Sequence, residues 1–144
     1  MNDPEEIRYE ELTAAPTEEI VALYAAGGWW TESDAARAAI PKMIRGSFCF
    51  LGARRPDGRL VGMARAISDG ASDAYIQDVV VLPDWRGRGI GGEMIRRLVA
   101  RCRAAGIEWI GLVAEPGTIP FYERLGFAAL EGFTPLRHGL KARP

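Results

Sequence analysis

Residues 79–98 read VVVLPDWRGRGIGGEMIRRL. Three β-branched valines predict a strand, and Pro83 ends it. Gly87, Gly89, Gly91 and Gly92 follow, interleaved with Arg86 and Arg88. Beyond them Ile90, Met94, Leu98 and Cys102 recur every four residues with Ile95 and Val99 beside them, while Arg96, Arg97, Arg101 and Arg103 take the other side. This is the pattern of an amphipathic helix, and Gly106 is placed to terminate it. The next apolar run, IEWIGLVA (107–114), predicts a strand. Strand, helix and strand make a βαβ unit, so the two strands should run parallel with the glycine loop between them.

Upstream, IRYEEL (7–12) predicts a short strand. Thr17 is placed to cap a helix over EEIVALYAAGG, whose acidic first turn suits the helix dipole and whose Ile20, Leu23 and Tyr24 share a face. Ser33 is placed to cap a second helix, DAARAAIPKMIRG, which Pro41 should kink or split. SFCFLGA and LVGMARAIS flank a Pro-Asp-Gly turn, a hairpin signal, and DGASD leads to AYIQDVVVLP, a third consecutive strand. Short turns make these an antiparallel meander. Downstream, TIPFYERL predicts a short helix with Pro120 in its first turn, and GFAALEGF a closing strand. The order is that of an α+β fold, a mixed and mostly antiparallel sheet with helices, in a single domain over residues 1–144.

With 144 residues, 48% apolar and 26% charged, the chain is of ordinary globular composition. Its 18 basic and 19 acidic residues argue against a general nucleic-acid binder, which would carry a basic excess. No stretch has the length and greasiness of a membrane span, and the acidic start is unlike a signal peptide, so a cytoplasmic protein is expected. Cys49 and Cys102 form no CxxC pair and read as small core residues. With so few Cys and a lone histidine, His138, neither a metal site nor a Ser-His or Cys-His nucleophile is expected.

Glycine tolerates positive φ and allows close approach to the main chain. Four glycines at a strand-to-helix turn expose several N–H groups at the positive end of a helix dipole, an arrangement suited to phosphate, with Arg86 and Arg88 as charge-assisted donors. The Lys followed by Ser or Thr of a P-loop is absent. Gly87, Gly89 and Gly92 satisfy G-x-G-x-x-G, but a meander precedes them where a dinucleotide fold would begin. The acidic residue expected about twenty positions on falls at Glu108, at the wrong end of its strand.

RGRGIG (86–91) resembles the Q/R-x-x-G-x-G/A acetyl-CoA motif of the GNAT superfamily of N-acetyltransferases, and FYERLGF (121–127) is similar to that family's second signature. The resemblance covers nearly the whole chain. It implies a parallel strand pair that splays to form a cleft, with the pantetheine arm of acetyl-CoA along Val79, Val80 and Val81. The pyrophosphate would lie on the amides of Gly87, Arg88, Gly89, Ile90, Gly91 and Gly92, and Thr118 and Phe121 would line the cofactor. The implied function is direct acetyl transfer to an amine, with a small-molecule primary amine favoured and a peptide or protein amine the alternative. Many relatives dimerise, though no segment here marks an interface.

Such a reaction needs an amine freed of its proton and a thiolate stabilised or protonated. Tyr122 matches the family's acid, and the backbone N–H of Val79 matches its carbonyl-polarising donor. Where many relatives place Glu or His on the strand, this chain has Tyr75 and Gln77, neither an ordinary base. Asp78 is the nearby carboxylate, pointing to the opposite face unless a bulge intervenes, and a water relay is the alternative base. Glu115 stands where the family often has Asn, and becomes a candidate contact for a cationic acceptor. Trp29 and Trp30 are candidates for an acceptor pocket. The departure at Tyr75 and Gln77 leaves open a non-catalytic acyl-CoA-binding module of the same fold.

Overall fold

A computed structural model describes residues 6–139, and the chain divides into two compact units, up to Leu112 and from Val113 onward. The first unit holds five strands, β1 (Arg8–Glu11), β2 (Cys49–Arg54), β3 (Leu60–Ser68), β4 (Asp73–Val81) and β5 (Trp109–Leu112), in the spatial order β1-β2-β3-β4-β5. The first four are antiparallel neighbours, as the short turns require, and β4 runs parallel to β5 through the crossover helix α3 (Ile90–Ala104).

Helices α1 (Thr17–Ala26) and α2 (Asp34–Gly46) cover one face of the sheet, α3 the other. On the first face Ile20, Leu23 and Tyr24 of α1 and Ile40 and Ile44 of α2 bury against Leu12, Phe50, Leu60, Met63 and Val80. On the second, the predicted α3 stripe of Ile90, Met94, Ile95, Leu98 and Cys102 is buried. Gly62 leaves room for it: a Cβ there would stand 3.1 Å from Met94 Cε, whereas one at Gly52, an alternate position on the neighbouring strand, would meet Leu12 Cδ1 at 2.7 Å. Cys49 and Cys102 are free and buried, and burial together with Glu11 pushes the Cys49 thiol up to about 12. Both are core residues, as their sequence setting suggests.

Ser33 caps α2, its Oγ accepting from the Ala36 N–H at 3.0 Å. Gly106, at φ 84, closes α3: the N–H groups of Gly106 and Ile107 donate to the carbonyls of Arg103 and Cys102, a Schellman ending.

Three expectations need correction. Thr17 is the first helical residue of α1 and does not cap it; Pro16 occupies the cap position and makes no side-chain hydrogen bond. Pro41 does not split α2, because Ile40 and Ile44 both bury and hold one helix through it. The closing strand predicted over residues 126–133 is not formed. Phe127, Leu130 and Phe133 recur every third residue, out of step with a strand, and Gly126 and Gly132 turn the chain at φ 93 and 80. In the second unit the described order is helix α4 (Ile119–Glu123) followed by turns and irregular chain.

Among the described residues no helix is long and apolar enough to cross a membrane, and no three His, Cys, Asp or Glu side chains are grouped to hold a metal ion.

Candidate active site

Strand β4 is irregular where chemistry was expected. Its ladder with β3 pairs Gln77 with Arg65 and Val80 with Met63, so Asp78 and Val79 together oppose Ala64. This is a β-bulge, and Asp78 adopts φ 58, the sole positive φ outside glycine among the described residues. The bulge also decides where backbone groups point. Leu82 N–H donates to the Val61 carbonyl and Phe48 N–H to the Ala66 carbonyl. Alternation along β3 then turns Val61, Met63 and Arg65 toward β4, and Ala64 toward β2. Asp78 and Val79 therefore sit between two bonded pairs, with their own N–H and C=O groups directed away from β3. By the same alternation Val81 also faces away from β3.

On the opposite edge of β4, pairing with β5 ends at Ile76↔Leu112. Gln77 to Val81 thus have no ladder partner from β5. The parallel pair stops where the valines begin, leaving peptide groups for an extended ligand to bind as a strand would.

The glycine loop follows. A 3₁₀ turn, Pro83–Trp85, leads to Gly87 and Gly89 at φ 75 and 81, and a Cβ built on either meets nothing within 4 Å. Gly91 and Gly92 lie in the first turn of α3, whose N-cap Gly89 offers no side-chain cap. The leading N–H groups, those of Ile90, Gly91 and Gly92, are the ones a helix cannot satisfy internally. Ile90 contributes backbone alone, since its side chain is buried. Arg86 braces the loop: its Nε donates to the Val81 carbonyl at 2.9 Å and an Nη to the Ala26 carbonyl at 3.4 Å. The Arg88 guanidinium lies 4.6 Å over the Trp85 ring.

Asp78 is not isolated. Its Oδ2 accepts from Tyr24 Oη at 2.7 Å and from Arg65 Nε at 2.8 Å. The extra residue in the bulge brings its carboxylate to the face of Tyr75 and Gln77, so the condition attached to Asp78 in the sequence is met. Tyr75 is exposed and Gln77 half-buried. Burial first, then the Asp78 charge, drive the Tyr24 hydroxyl well above the usual phenol range.

Trp29 and Trp30 join the same cluster. Helix α1 ends in a Schellman turn, with Gly28 at φ 78 and N–H groups of Gly28 and Trp29 donating to the carbonyls of Ala25 and Tyr24. The chain folds back so closely that a Cβ on Gly27 would stand 2.6 Å from the Trp29 ring. Trp29 then meets Tyr24 edge-on at 6.3 Å between centroids and Trp30 lies tilted at 6.4 Å. Trp30 is partly buried against the core and Trp29 is 40% exposed. Tyr24, which sequence reasoning placed in the core only, links both tryptophans to Asp78. No pattern in the sequence marks that link, because it joins residues 54 apart.

In the second unit, Tyr122 is half-buried on α4, edge-on to Phe121 at 4.9 Å and to Phe127 at 5.8 Å. Burial, and then the Glu115 charge, hold its phenol pKa above the ordinary value. Thr118 precedes the helix, its Oγ1 donating to the Glu115 carbonyl at 2.6 Å, which ties that loop to α4. His138 is exposed.

Residues 9–127 match the model of the "Acetyltransferase (GNAT) family". Serotonin N-acetyltransferase 2, chloroplastic, of Oryza sativa subsp. japonica is 48% identical over 71 residues, which are 49% of this chain and 36% of that protein. Glucosamine 6-phosphate N-acetyltransferase of Trypanosoma brucei brucei is 37% identical over 83 residues, 54% of this chain and 56% of that one. The chain thus spans from about a third to just over half the length of these two relatives. A crystal structure from meticillin-resistant Staphylococcus aureus matches with a TM-score of 0.79 at 21% identity, over 95% of this chain and 100% of that one, a likeness of fold. With the parallel pair, the glycine turn into α3 and a family model that spans both signatures, the chain belongs to the acetyltransferase (GNAT) family.

Proposed function

We propose that the chain, as one domain over residues 1–144, is an N-acetyltransferase that moves an acetyl group from acetyl-CoA directly to a primary amine on a small molecule. The observation that carries this reading is the run of backbone turned away from the sheet ladders: Asp78 and Val79 in the bulge, the N–H of Val81, the open glycines 87 and 89, and the uncapped start of α3. These groups fit the cofactor, because a pyrophosphate needs converging N–H donors with no Cβ in the way and a pantetheine arm needs a strand edge. Val79 and Val81 would hold the arm, while Val80 between them, expected to join them, keeps its backbone paired with Met63 and its side chain in the core; Gly87, Arg88, Gly89, Ile90, Gly91 and Gly92 would hold the pyrophosphate, with Arg86 bracing their loop; Thr118 and Phe121 would add side-chain contact. When bound, acetyl-CoA supplies an acetyl group already activated as a thioester.

The chain's own residues do the rest. The Val79 N–H polarises the carbonyl that is attacked. Tyr122 keeps its proton at neutral pH, because burial and Glu115 both favour the neutral phenol, and gives it to the departing thiolate. Tyr75 and Gln77 line the route by which water removes the amine's proton. Trp29 and Trp30 supply an apolar wall for the acceptor and Glu115 a carboxylate for its cation. The setting proposed is the cytoplasm, with a plastid, the location carried in the rice relative's name, as the alternative.

The test is release of free thiol from acetyl-CoA across amino sugars, polyamines, aromatic amines, amino acids and short peptides. A hit names the acceptor class; a peptide hit would overturn the small-molecule part. One observation favours a second reading, a binding module without turnover: β4 presents neither Glu nor His, and its carboxylate already accepts two hydrogen bonds. Acetyl-CoA binding by calorimetry with no turnover on any amine would support that reading.

A further inference from the structure

We propose that Tyr24 and Arg65 are positioning residues that lock Asp78 in its left-handed conformation, so that the β4 bulge aims the Val79 N–H, and that Asp78 is the anchor of this device and not the base. The inference deepens the acetyl-transfer reading and rests on it for the role of Val79.

The geometry supplies the argument. A non-glycine residue at φ 58 is disfavoured, and a strand does not keep such a residue unless its surroundings hold it there. Asp is among the few side chains that visit this region with local help. Here the help is two-sided, with one donor from α1 and one from β3, both on the same oxygen, at 2.7 and 2.8 Å. The ion pair is well covered, with the Arg65 side chain 13% exposed and that of Asp78 20%. Without the extra residue, alternation from Ala74 and Ile76 would drive Asp78 toward the apolar side of α3, where a carboxylate has no partner. The bulge and the anchor therefore require each other. What the bulge achieves is two consecutive peptide groups, at Asp78 and Val79, free of the β3 ladder. A carboxylate doubly bonded to an arginine and a phenol holds their direction fixed.

An anchor and a base respond differently to substitution. Asp78→Asn keeps an acceptor oxygen and a residue that tolerates positive φ, but has no carboxylate to take a proton; Asp78→Ala loses all three; Tyr24→Phe removes one donor and leaves Asp78 intact. The experiment combines steady-state kinetics with the amide NMR signal and hydrogen exchange of Val79 in the ligand-free protein. If Asp78 is an anchor, Tyr24→Phe shifts the Val79 amide signal, speeds its exchange, and lowers kcat by about tenfold with little change in KM, because the misaimed donor acts in the transition state. Asp78→Asn, which keeps the acceptor but loses the charge opposite Arg65, costs about tenfold with an unaltered pH profile, while Asp78→Ala loses about a hundredfold. Equal losses in Asn and Ala, or an unmoved Val79 amide in Tyr24→Phe, would overturn the proposal. Failure of the acetyl-transfer reading is seen separately, as wild-type protein that does not bind acetyl-CoA in calorimetry. That result would remove the role given to Val79, while the amide measurements, made also on Arg65→Met, would still decide whether Tyr24 and Arg65 hold the bulge.

Discussion

Gly62 on β3 lies directly beneath Met94 on α3, so close that a Cβ at 62 would stand 3.1 Å from the Met94 methyl and 3.4 Å from Ile90. The first turn of α3, which carries the candidate pyrophosphate site, is thereby seated by a missing side chain. Gly62→Ala asks a flexible methyl to move a few tenths of an ångström, whereas Gly62→Val inserts bulk that must lift the helix start. The expectation is a loss of about 1–3 kcal/mol for valine in urea unfolding, with weaker acetyl-CoA binding, and a much smaller loss for alanine.

Gly89 separates backbone conformation from steric space. At φ 81, with nothing within 4 Å of a built Cβ, any penalty for Gly89→Ala is conformational. Alanine should cost about 1–2 kcal/mol and asparagine distinctly less, since asparagine tolerates the left-handed region. Thermal unfolding of the two variants, compared at one concentration, checks the order.

Tyr122→Phe should lower kcat while leaving acetyl-CoA affinity in calorimetry nearly unchanged. The wild-type pH profile carries the matching sign. A phenol whose pKa lies above the ordinary value stays protonated to higher pH, so the alkaline fall in kcat should begin beyond the usual tyrosine range of about 10. A fall that begins well below it would assign that limb to another group.

Tyr24 ties the stability of the fold to pH in the same direction. Its folded pKa is raised, so below the unfolded value of about 10 both states hold the proton and stability is flat. Above that the unfolded chain releases a proton that the folded protein keeps, and this residue's share of the decline is about 1.4 kcal/mol per pH unit. Denaturant melts between pH 8 and about 11.5 should show a steeper alkaline decline in wild type than in Tyr24→Phe.

Ser33→Ala removes the oxygen that accepts from Ala36 N–H and should destabilise the protein by about 1 kcal/mol, measurable by urea midpoint. Thr17→Ala, by contrast, should cost less, because Thr17 is inside the helix and caps nothing.

The elements that were legible in the sequence are those with a periodic signal that tertiary contact reinforces. The α3 stripe, the meander between short polar turns and the parallel return to β5 each follow from spacing alone, and with them the place of the glycine loop. The backbone geometry of the candidate site was legible where local chemistry dictates it, in the left-handed turns at Gly87 and Gly89 and in the strand at Val79 to Val81. It was illegible where distant residues converge. Asp78 looked like a misdirected carboxylate because strict alternation hides a one-residue insertion in the ladder, and Tyr24 looked like a core residue because its partner is remote in the chain. The end of α1 hid a further signal: Gly27 and Gly28 before Trp29 mark the chain reversal that brings the indole back onto the helix. The strand expected at 126–133 came from composition without period, and the chain there turns instead.

The bulge at Asp78 also divides β4 for anyone who mutates or redesigns it. Up to Gln77 the odd positions face α1 and α2, and from Val80 the even ones do, so a single inside-outside pattern written along residues 73–81 mislabels one half of the strand. A sequence library for this strand is best composed as two short strands in opposite phase: polar variety is admissible at 75, while 80 must stay apolar. A deletion of Asp78 would leave Val79 alone opposite Ala64 and bring the halves into one phase with each keeping its face, removing the bulge and its carboxylate together, a change that no point substitution imitates.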